Sequence, residues 1–148
     1  MQHLEYARKL PYPAAAVWEL VGDFANSEIV AGFVDRVEIE GEGIGMERIF
    51  HLPARLGGGA VRERLEELDP VLRRIGYRLT DNGPLPWTGY YGSIMVTPCG
   101  PDACAILVDV RFTTIGIRPE EAAAISMSNM DHFFANLARI LDARKGRS

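Results

Sequence analysis

The strongest constraint on the fold is the order in which two hydrophobic periods follow each other along the chain. Apolar and polar residues alternate with a period of two, typical of β-strands, in one segment near the start and in six consecutive segments between residues 34 and 113. One long segment with helical spacing follows, from Pro119 to about Ala143. Short turns join the six strands, which indicates an antiparallel sheet. Since the terminal helix is the only predicted element long enough to cover that sheet, we predict an α+β fold in which a curved sheet wraps a long C-terminal helix.

Turn residues divide the chain into individual elements. Pro13 precedes a predicted helix from Ala14 to Val21, and Asp23 is placed to cap a second short helix from Phe24 to about Val30. The apolar positions of the terminal helix are Ala123, Met127, Met130, Phe134, Leu137 and Leu141. The predicted strands are Leu4 to Leu10, Val34 to Glu40, Gly45 to Leu52, Ala60 to Leu68, Leu72 to Thr80, Trp87 to Thr97 and Ala103 to Thr113.

Length and charge limit the classes of protein that fit. The 148 residues suit a single domain over 1–148, with enough chain to bury a core without metals or disulfides. The formal net charge is -4, and only the stretch Arg139 to Arg147 is locally basic, which suits the end of a helix better than nucleic acid. No apolar run approaches the roughly 20 residues of a membrane span, and the N-terminal segment is too polar for a signal peptide. We therefore expect a cytoplasmic protein that binds no nucleic acid and does not span a membrane.

Signatures of metal binding and of covalent catalysis are missing from the sequence. Cys99 and Cys104 flank a turn and could face each other across a hairpin, but such a pair alone is a poor zinc signal, and two reduced thiols are expected. The histidines His3, His51 and His132 show no metal-ligand spacing. The chain contains no GxSxG, no GxGxxG and no Walker loop. We expect no metal and no cofactor.

Three segments carry a resemblance that covers nearly the whole chain. They are Val17 to Phe50, Val61 to Leu79 and Gly83 to Pro98. In their order and content the chain resembles the START-related helix-grip superfamily, which includes polyketide cyclase/dehydrase-like proteins, plant abscisic acid receptors and pathogenesis-related ligand binders. The resemblance implies a seven-stranded sheet, two small helices, a long C-terminal helix and an apolar cavity open at one end. It does not fix a function, because the superfamily contains carriers, receptors and enzymes.

The abscisic acid receptors suggest two pocket residues. Their ERL stretch contributes a pocket glutamate that matches Glu63, and a later stretch contributes a pocket tyrosine that matches Tyr90 in GYYGS. The loops that correspond to their gate and latch are roughly Pro53 to Gly59 and Asp81 to Trp87, but both signatures are replaced here. Their hormone-binding lysine has no counterpart near Ala31 to Val34. Hormone reception is therefore not predicted.

Strand parity gives an independent set of candidate residues, because the apolar face of each strand should face the cavity. Arg48, Glu63, Tyr77 and Tyr90 all share a face with apolar neighbours. Since a lone buried charge is very costly, we hypothesise an interior Arg48–Glu63 ion pair. Three roles are open for the pair: it is purely structural, it orients a polar group of a ligand, or it takes part in acid–base catalysis. The two tyrosines either hydrogen-bond a ligand or pack in the core.

Further candidates come from the loop after the fifth strand and from the terminal helix. Trp87, beside a proline in that loop, is a candidate for the cavity mouth. Met127, Met130 and Phe134 form an adaptable apolar stripe that is either plain core or the floor of the cavity. His132 remains open as a base, whereas His51 falls on the exterior face of its strand.

Together these features predict the binding of a small lipophilic molecule, such as a lipid or polyketide, in an internal apolar cavity. The alternative is a polyketide cyclase/aromatase or dehydratase that uses Arg48, Glu63 and the tyrosines in the same cavity. A third possibility is a protein-interaction module whose cavity is filled by its own side chains. The expected partner is a small lipophilic ligand, and both a monomer and a homodimer are compatible with the sequence.

Overall fold

The computed structural model describes residues 1–31 and 34–146. Arg147, the last residue of the basic stretch, lies outside these ranges. So do residues 32 and 33, in the segment that has no counterpart of the receptors' hormone-binding lysine. Within the described residues, no helix is both long and apolar enough to cross a membrane.

The described strands form one antiparallel sheet. Their spatial order is β1-β7-β6-β5-β4-β3-β2, so that only β1 leaves its chain neighbour and pairs instead with the last strand. This arrangement confirms the predicted α+β architecture. The strands are β1 (Gln2–Leu10), β2 (Arg36–Glu40), β3 (Glu47–His51), β4 (Ala60–Asp69), β5 (Arg74–Asp81), β6 (Trp87–Pro98) and β7 (Cys104–Thr114).

A proline marks the start of each α-helix, as predicted. Helix α1 (Ala14–Val21) follows Pro13, and helix α2 (Pro119–Lys145) starts with proline at its first position, where the missing N–H has no cost. Acidic residues occupy the first turn of α2 and basic residues its last turn, and both interact favourably with the helix dipole. The predicted end at Ala143 was two residues too early.

The prediction of a second short helix from Phe24 to about Val30 is wrong in its extent. Only a single 3-10 turn forms, at Glu28–Val30. Asp23 Oδ1 accepts a hydrogen bond from the Ala25 N–H at 3.2 Å, and Asn26 Oδ1 accepts one from the Glu28 N–H at 2.9 Å. Such side-chain hydrogen bonds compete with the hydrogen bonds of a helix. The segment therefore forms short turns at Asp23 and Asn26 before the 3-10 turn.

The cysteines do not face each other across the β6–β7 hairpin. Cys104 lies opposite Pro98 in the register, while the Cys99 N–H donates to the Ala103 carbonyl at 2.9 Å. Cys99 is exposed and Cys104 is buried, and both are free thiols.

Irregularities in the strands curve the sheet around α2. The β4–β5 register shifts near Glu63 and again between Leu65 and Glu67, and the β6–β7 register shifts between Thr88 and Tyr91. Bulges of this kind bend a strand and increase its twist. The concave face therefore closes on α2 at one end, and between the sheet and the helix it leaves a hollow near β3 to β6.

Candidate ligand-binding site

A cavity of about 340 Å³ lies between the concave face of the sheet and α2. Strands β3 to β6, the 3-10 turn, the β5–β6 loop and the middle of α2 contribute its walls. Most of the lining side chains are aliphatic or aromatic. Leu56 and Ile125 line the cavity and are partly exposed, so it reaches the surface at that end.

The interior ion pair predicted from strand parity is present. Arg48 and Glu63 lie directly opposite each other on β3 and β4, and Arg48 Nε donates to Glu63 Oε1 at 2.7 Å. Both residues are buried, at 8 % and 6 % exposure. The Arg48 guanidinium lies 4.0 Å from the ring centre of Phe24, 5.1 Å from that of Phe50 and 5.4 Å from that of Tyr77. Aromatic faces stabilise a cation that is largely removed from water.

Two tyrosines line the cavity beside this pair. Burial is the main cause that raises the pKa of both phenols. The two rings are 6.4 Å apart, and Tyr90 continues the stack onto Trp87 at 5.9 Å. Gly92 makes room for this arrangement, because a Cβ there would lie 2.7 Å from Cζ of Tyr77. Both hydroxyls are therefore neutral, fixed polar groups in an apolar wall.

Trp87 lies in the wall rather than in a loop at the cavity mouth. It is the first residue of β6 and only 2 % exposed. The bulge in β6, with Gly89 at φ +64°, adds a residue between Trp87 and Tyr90, so both side chains point to the concave face. Trp87 Nε1 is buried and has no hydrogen-bond partner among the described residues.

The terminal helix contributes Met130 to the cavity, but not the other two predicted residues. Phe134 is buried outside the cavity lining, and its ring centre lies 4.2 Å from the Arg8 guanidinium. Met127 is 48 % exposed and does not line the cavity. The cause is helical phase: Ser126, which accepts a hydrogen bond from the Tyr6 hydroxyl at 2.9 Å, takes the inward position instead.

Sequence reasoning missed three lining residues on this helix. They are Ile125, Asn129 and Phe133. Their spacing of four residues places them on one face, together with Met130. The apolar residues Ile125 and Phe133 were a usable signal in the sequence, but the predicted stripe was placed on Met127, Met130 and Phe134.

The histidines lie away from the cavity. His51 is on the outer face of β3, as predicted, with its Nε2 2.9 Å from Glu38 Oε1, and His132 is exposed. His3 comes close to Glu5 and Asp109 on the outer face, where one ligand atom from each lies within 4.8 Å of the others. Strand pairing between β1 and β7 creates this group, which sequence spacing did not reveal.

Protein stability is expected to fall as the pH rises above 10. The phenols of Tyr77 and Tyr90 have an ordinary pKa of 10.0 and a raised pKa in the folded protein, so the folded state retains protons that the unfolded state releases. Their stabilising contribution is complete below pH 10 and is lost at more alkaline pH. Urea unfolding between about pH 8 and pH 11 measures this slope. Tyr77→Phe should flatten it, and an unchanged slope in that variant would contradict the assignment.

Comparison with known proteins places the chain in a family. Residues 1–142 match the family described as polyketide cyclase/dehydrase and lipid transport. The chain belongs to this family, which confirms the resemblance to helix-grip proteins. A comparison with curated proteins gives no match.

Solved structures share the fold over most of their length. XoxI from Bacillus cereus has 23% identity and a TM-score of 0.81, covering 97% of this chain and 99% of that chain. The Zhui aromatase/cyclase from Streptomyces sp. R1128 has 22% identity and a TM-score of 0.77, covering 93% and 92%. Norcoclaurine synthase from Thalictrum flavum, solved with dopamine and hydroxybenzaldehyde, has 17% identity and a TM-score of 0.73, covering 95% and 86%. At these identities the likeness shows the fold, and the family supports a ligand-binding or cyclase role.

Proposed function

We propose that the protein binds a small lipophilic molecule in the cavity between the sheet and α2. The observation that carries the proposal is the cavity itself: about 340 Å³, walled mainly by apolar side chains, and reaching the surface beside Leu56 and Ile125. Ligand sites of small molecules commonly combine an apolar wall with a few fixed polar groups. The polar side chains in this lining are those of Arg48, Glu63, Tyr77, Trp87, Tyr90 and Asn129.

Binding is favoured over catalysis by the state of the polar groups. Glu63 is the only carboxylate among the described lining residues, and its Oε1 is engaged by Arg48 at 2.7 Å. The raised pKa of Tyr77 and Tyr90 keeps both hydroxyls protonated near neutral pH, so neither is a ready proton acceptor. The one lining carboxylate that could act as a base is thus already bound by a cation, and we take binding as the simpler use of the site.

The test compares a substitution that fills the cavity with a matched substitution on the opposite face of the same strand. Leu79 lines the cavity and Arg78, next to it on β5, is exposed. Titration with the neutral fluorescent probe N-phenyl-1-naphthylamine should give saturable binding in the unaltered chain. Leu79→Trp should weaken that binding at least about tenfold, because added volume competes with the probe. Arg78→Trp should leave it within about twofold, since the change lies outside the cavity.

Two results would contradict the proposal. One is an absence of saturable binding, together with no apolar compound released when the purified protein is denatured and extracted. The other is equal binding by Leu79→Trp and Arg78→Trp, which would place the probe outside the cavity. Native mass spectrometry of the freshly purified protein supplies an independent readout, since a retained ligand adds a defined mass.

A further inference from the structure

We infer that His3, Glu5 and Asp109 form a binding site for a divalent metal ion of the Zn²⁺ type, and that the bound ion clips β1 to β7. The site lies on the outer face of the sheet, away from the cavity, so this inference and the proposed function stand or fall separately. Three observations support it: the spacing of the ligand atoms, the repulsion between two facing carboxylates, and an adjoining groove.

The pairing of β1 with β7 brings the three side chains together. His3 and Glu5 are two residues apart on β1 and so share a face, and Asp109 lies directly opposite Glu5 in the register. His3 Nε2 lies 3.3 Å from Glu5 Oε1 and 2.7 Å from Asp109 Oδ2. The ligand atoms of a tetrahedral Zn²⁺ site are about 3.3–3.5 Å apart. The Glu5 distance already fits, and Asp109, on a partly exposed side chain, would move by about 0.7 Å.

The donor set indicates the kind of metal. Imidazole suits Zn²⁺ and similar transition metals, whereas Mg²⁺ and Ca²⁺ prefer oxygen ligands alone. Two carboxylates and a neutral imidazole balance the charge of a divalent ion and leave one tetrahedral position for water. Asp109 Oδ1, the oxygen that does not face His3, lies 3.4 Å from Arg111 Nε. This contact leaves Oδ2 available and orients the carboxylate, as partners behind metal ligands commonly do.

Glu5 and Asp109 form an unfavourable pair when no cation lies between them. Like charges directly opposite each other on antiparallel strands destabilise the pairing. A neutral His3 donates a single hydrogen from Nε2 and neutralises neither carboxylate. A divalent ion held by all three side chains would replace this repulsion with attraction. Because β1 is an edge strand, the ion would strengthen its pairing with β7.

A groove of about 420 Å³ adjoins the ligands on the same face of the sheet. Glu5 and Asp109 line it, together with Ser93, which lies opposite Asp109 in the register and is only 7 % exposed. Within residues 1–31 and 34–146, the Ser93 hydroxyl has no hydrogen-bond partner. A largely buried hydroxyl without a partner is unusual, and here it faces the groove. It is placed to bond water held next to the metal.

Calorimetric titration of the full chain with Zn²⁺, on protein without a histidine tag, tests the site. The unaltered chain should show one saturable site. His3→Gln, Glu5→Gln and Asp109→Asn should each weaken binding at least about tenfold, because each removes one of three ligands and keeps the size of the side chain. All three side chains are partly exposed, so the variants should fold, which circular dichroism verifies.

The chain offers matched controls for other surface ligands. His51 Nε2 lies 2.9 Å from one carboxylate, that of Glu38, and Cys99 is an exposed thiol. His51→Gln and Cys99→Ser should leave the affinity for Zn²⁺ within about twofold. Acetylation of the terminal amine, which otherwise could bind the ion together with His3, should also leave it within about twofold.

Thermal unfolding gives a second readout, which depends on the clip between the strands. Zn²⁺ should raise the unfolding midpoint of the unaltered chain, because it binds the folded pairing of β1 with β7, and should not raise that of His3→Gln. The inference is overturned if the unaltered chain shows no saturable site, or if His51→Gln or Cys99→Ser weakens binding as much as His3→Gln does. It is also overturned if acetylation abolishes binding, or if Glu5→Gln and Asp109→Asn bind as the unaltered chain does, since a lone imidazole would then hold the ion.

Discussion

Replacing Arg48 by methionine is expected to lower the free energy of unfolding by about 3–5 kcal/mol. The substitution leaves the Glu63 carboxylate buried without the guanidinium that now lies 2.7 Å from it. It also removes the cation from its position 4.0 Å from the ring centre of Phe24. Urea unfolding followed by circular dichroism measures the change, provided that the variant unfolds in a single transition.

The double variant Arg48→Met/Glu63→Leu is the control for this prediction. With both charges removed, no buried carboxylate is left uncompensated, and most of the lost free energy of unfolding should return. Glu63→Leu alone should be destabilising, as Arg48→Met is, because it leaves the Arg48 guanidinium buried without its partner carboxylate. If the double variant were as unstable as the sum of the single variants, the pair would not be coupled as described.

Replacing Phe112 by alanine is expected to lower the free energy of unfolding by about 3–5 kcal/mol. Phe112 is 1 % exposed, and its ring centre lies 5.0 Å from that of Trp87 and 5.8 Å from that of Tyr90. Removing the ring deletes buried apolar area and leaves a void that the neighbouring strands of the sheet can fill only in part. Thermal and urea unfolding should agree on the size of the loss.

Arg111→Ala is the matched control for Phe112→Ala. Arg111 precedes Phe112 on β7 and points to the opposite, exposed face, where its Nε lies 3.4 Å from Asp109 Oδ1. A surface substitution of this kind should change the free energy of unfolding by no more than about 0.5 kcal/mol. Similar losses in both variants would mean that β7 is sensitive to any change, and would contradict the special role given to the buried ring.

The strands and the interior ion pair could be predicted because a strand has a period of two. Once Val61 and Leu65 are assigned to the concave face, Glu63 must share it, and the same reasoning places Arg48. Antiparallel pairing of β3 and β4 then brings the two side chains together. The 2.7 Å contact is thus a consequence of sequence pattern and simple topology.

The remaining features of the site depend on irregularities that the pattern does not encode. The bulge at Gly89 keeps Trp87 inside, although a regular strand would turn Trp87 and Tyr90 to opposite faces. On α2, buried Ser126 holds the inward position because the Tyr6 hydroxyl satisfies it, and this contact joins residues far apart in sequence. The size of the cavity follows from the resulting sheet curvature and side-chain packing, which no local pattern specifies.

The pairing of β1 with β7 has a consequence for the synthesis of the protein. During translation, Gln2–Leu10 leaves the ribosome before the other strands of the sheet, and its partner, Cys104–Thr114, follows only after about a hundred more residues, some 5–20 s later at usual elongation rates. Until then the first strand has no neighbour in the sheet, and the helix that covers the concave face has not been made. The nascent chain therefore carries an unpaired strand until β7 emerges, and a chaperone that shields β1 would act before that point.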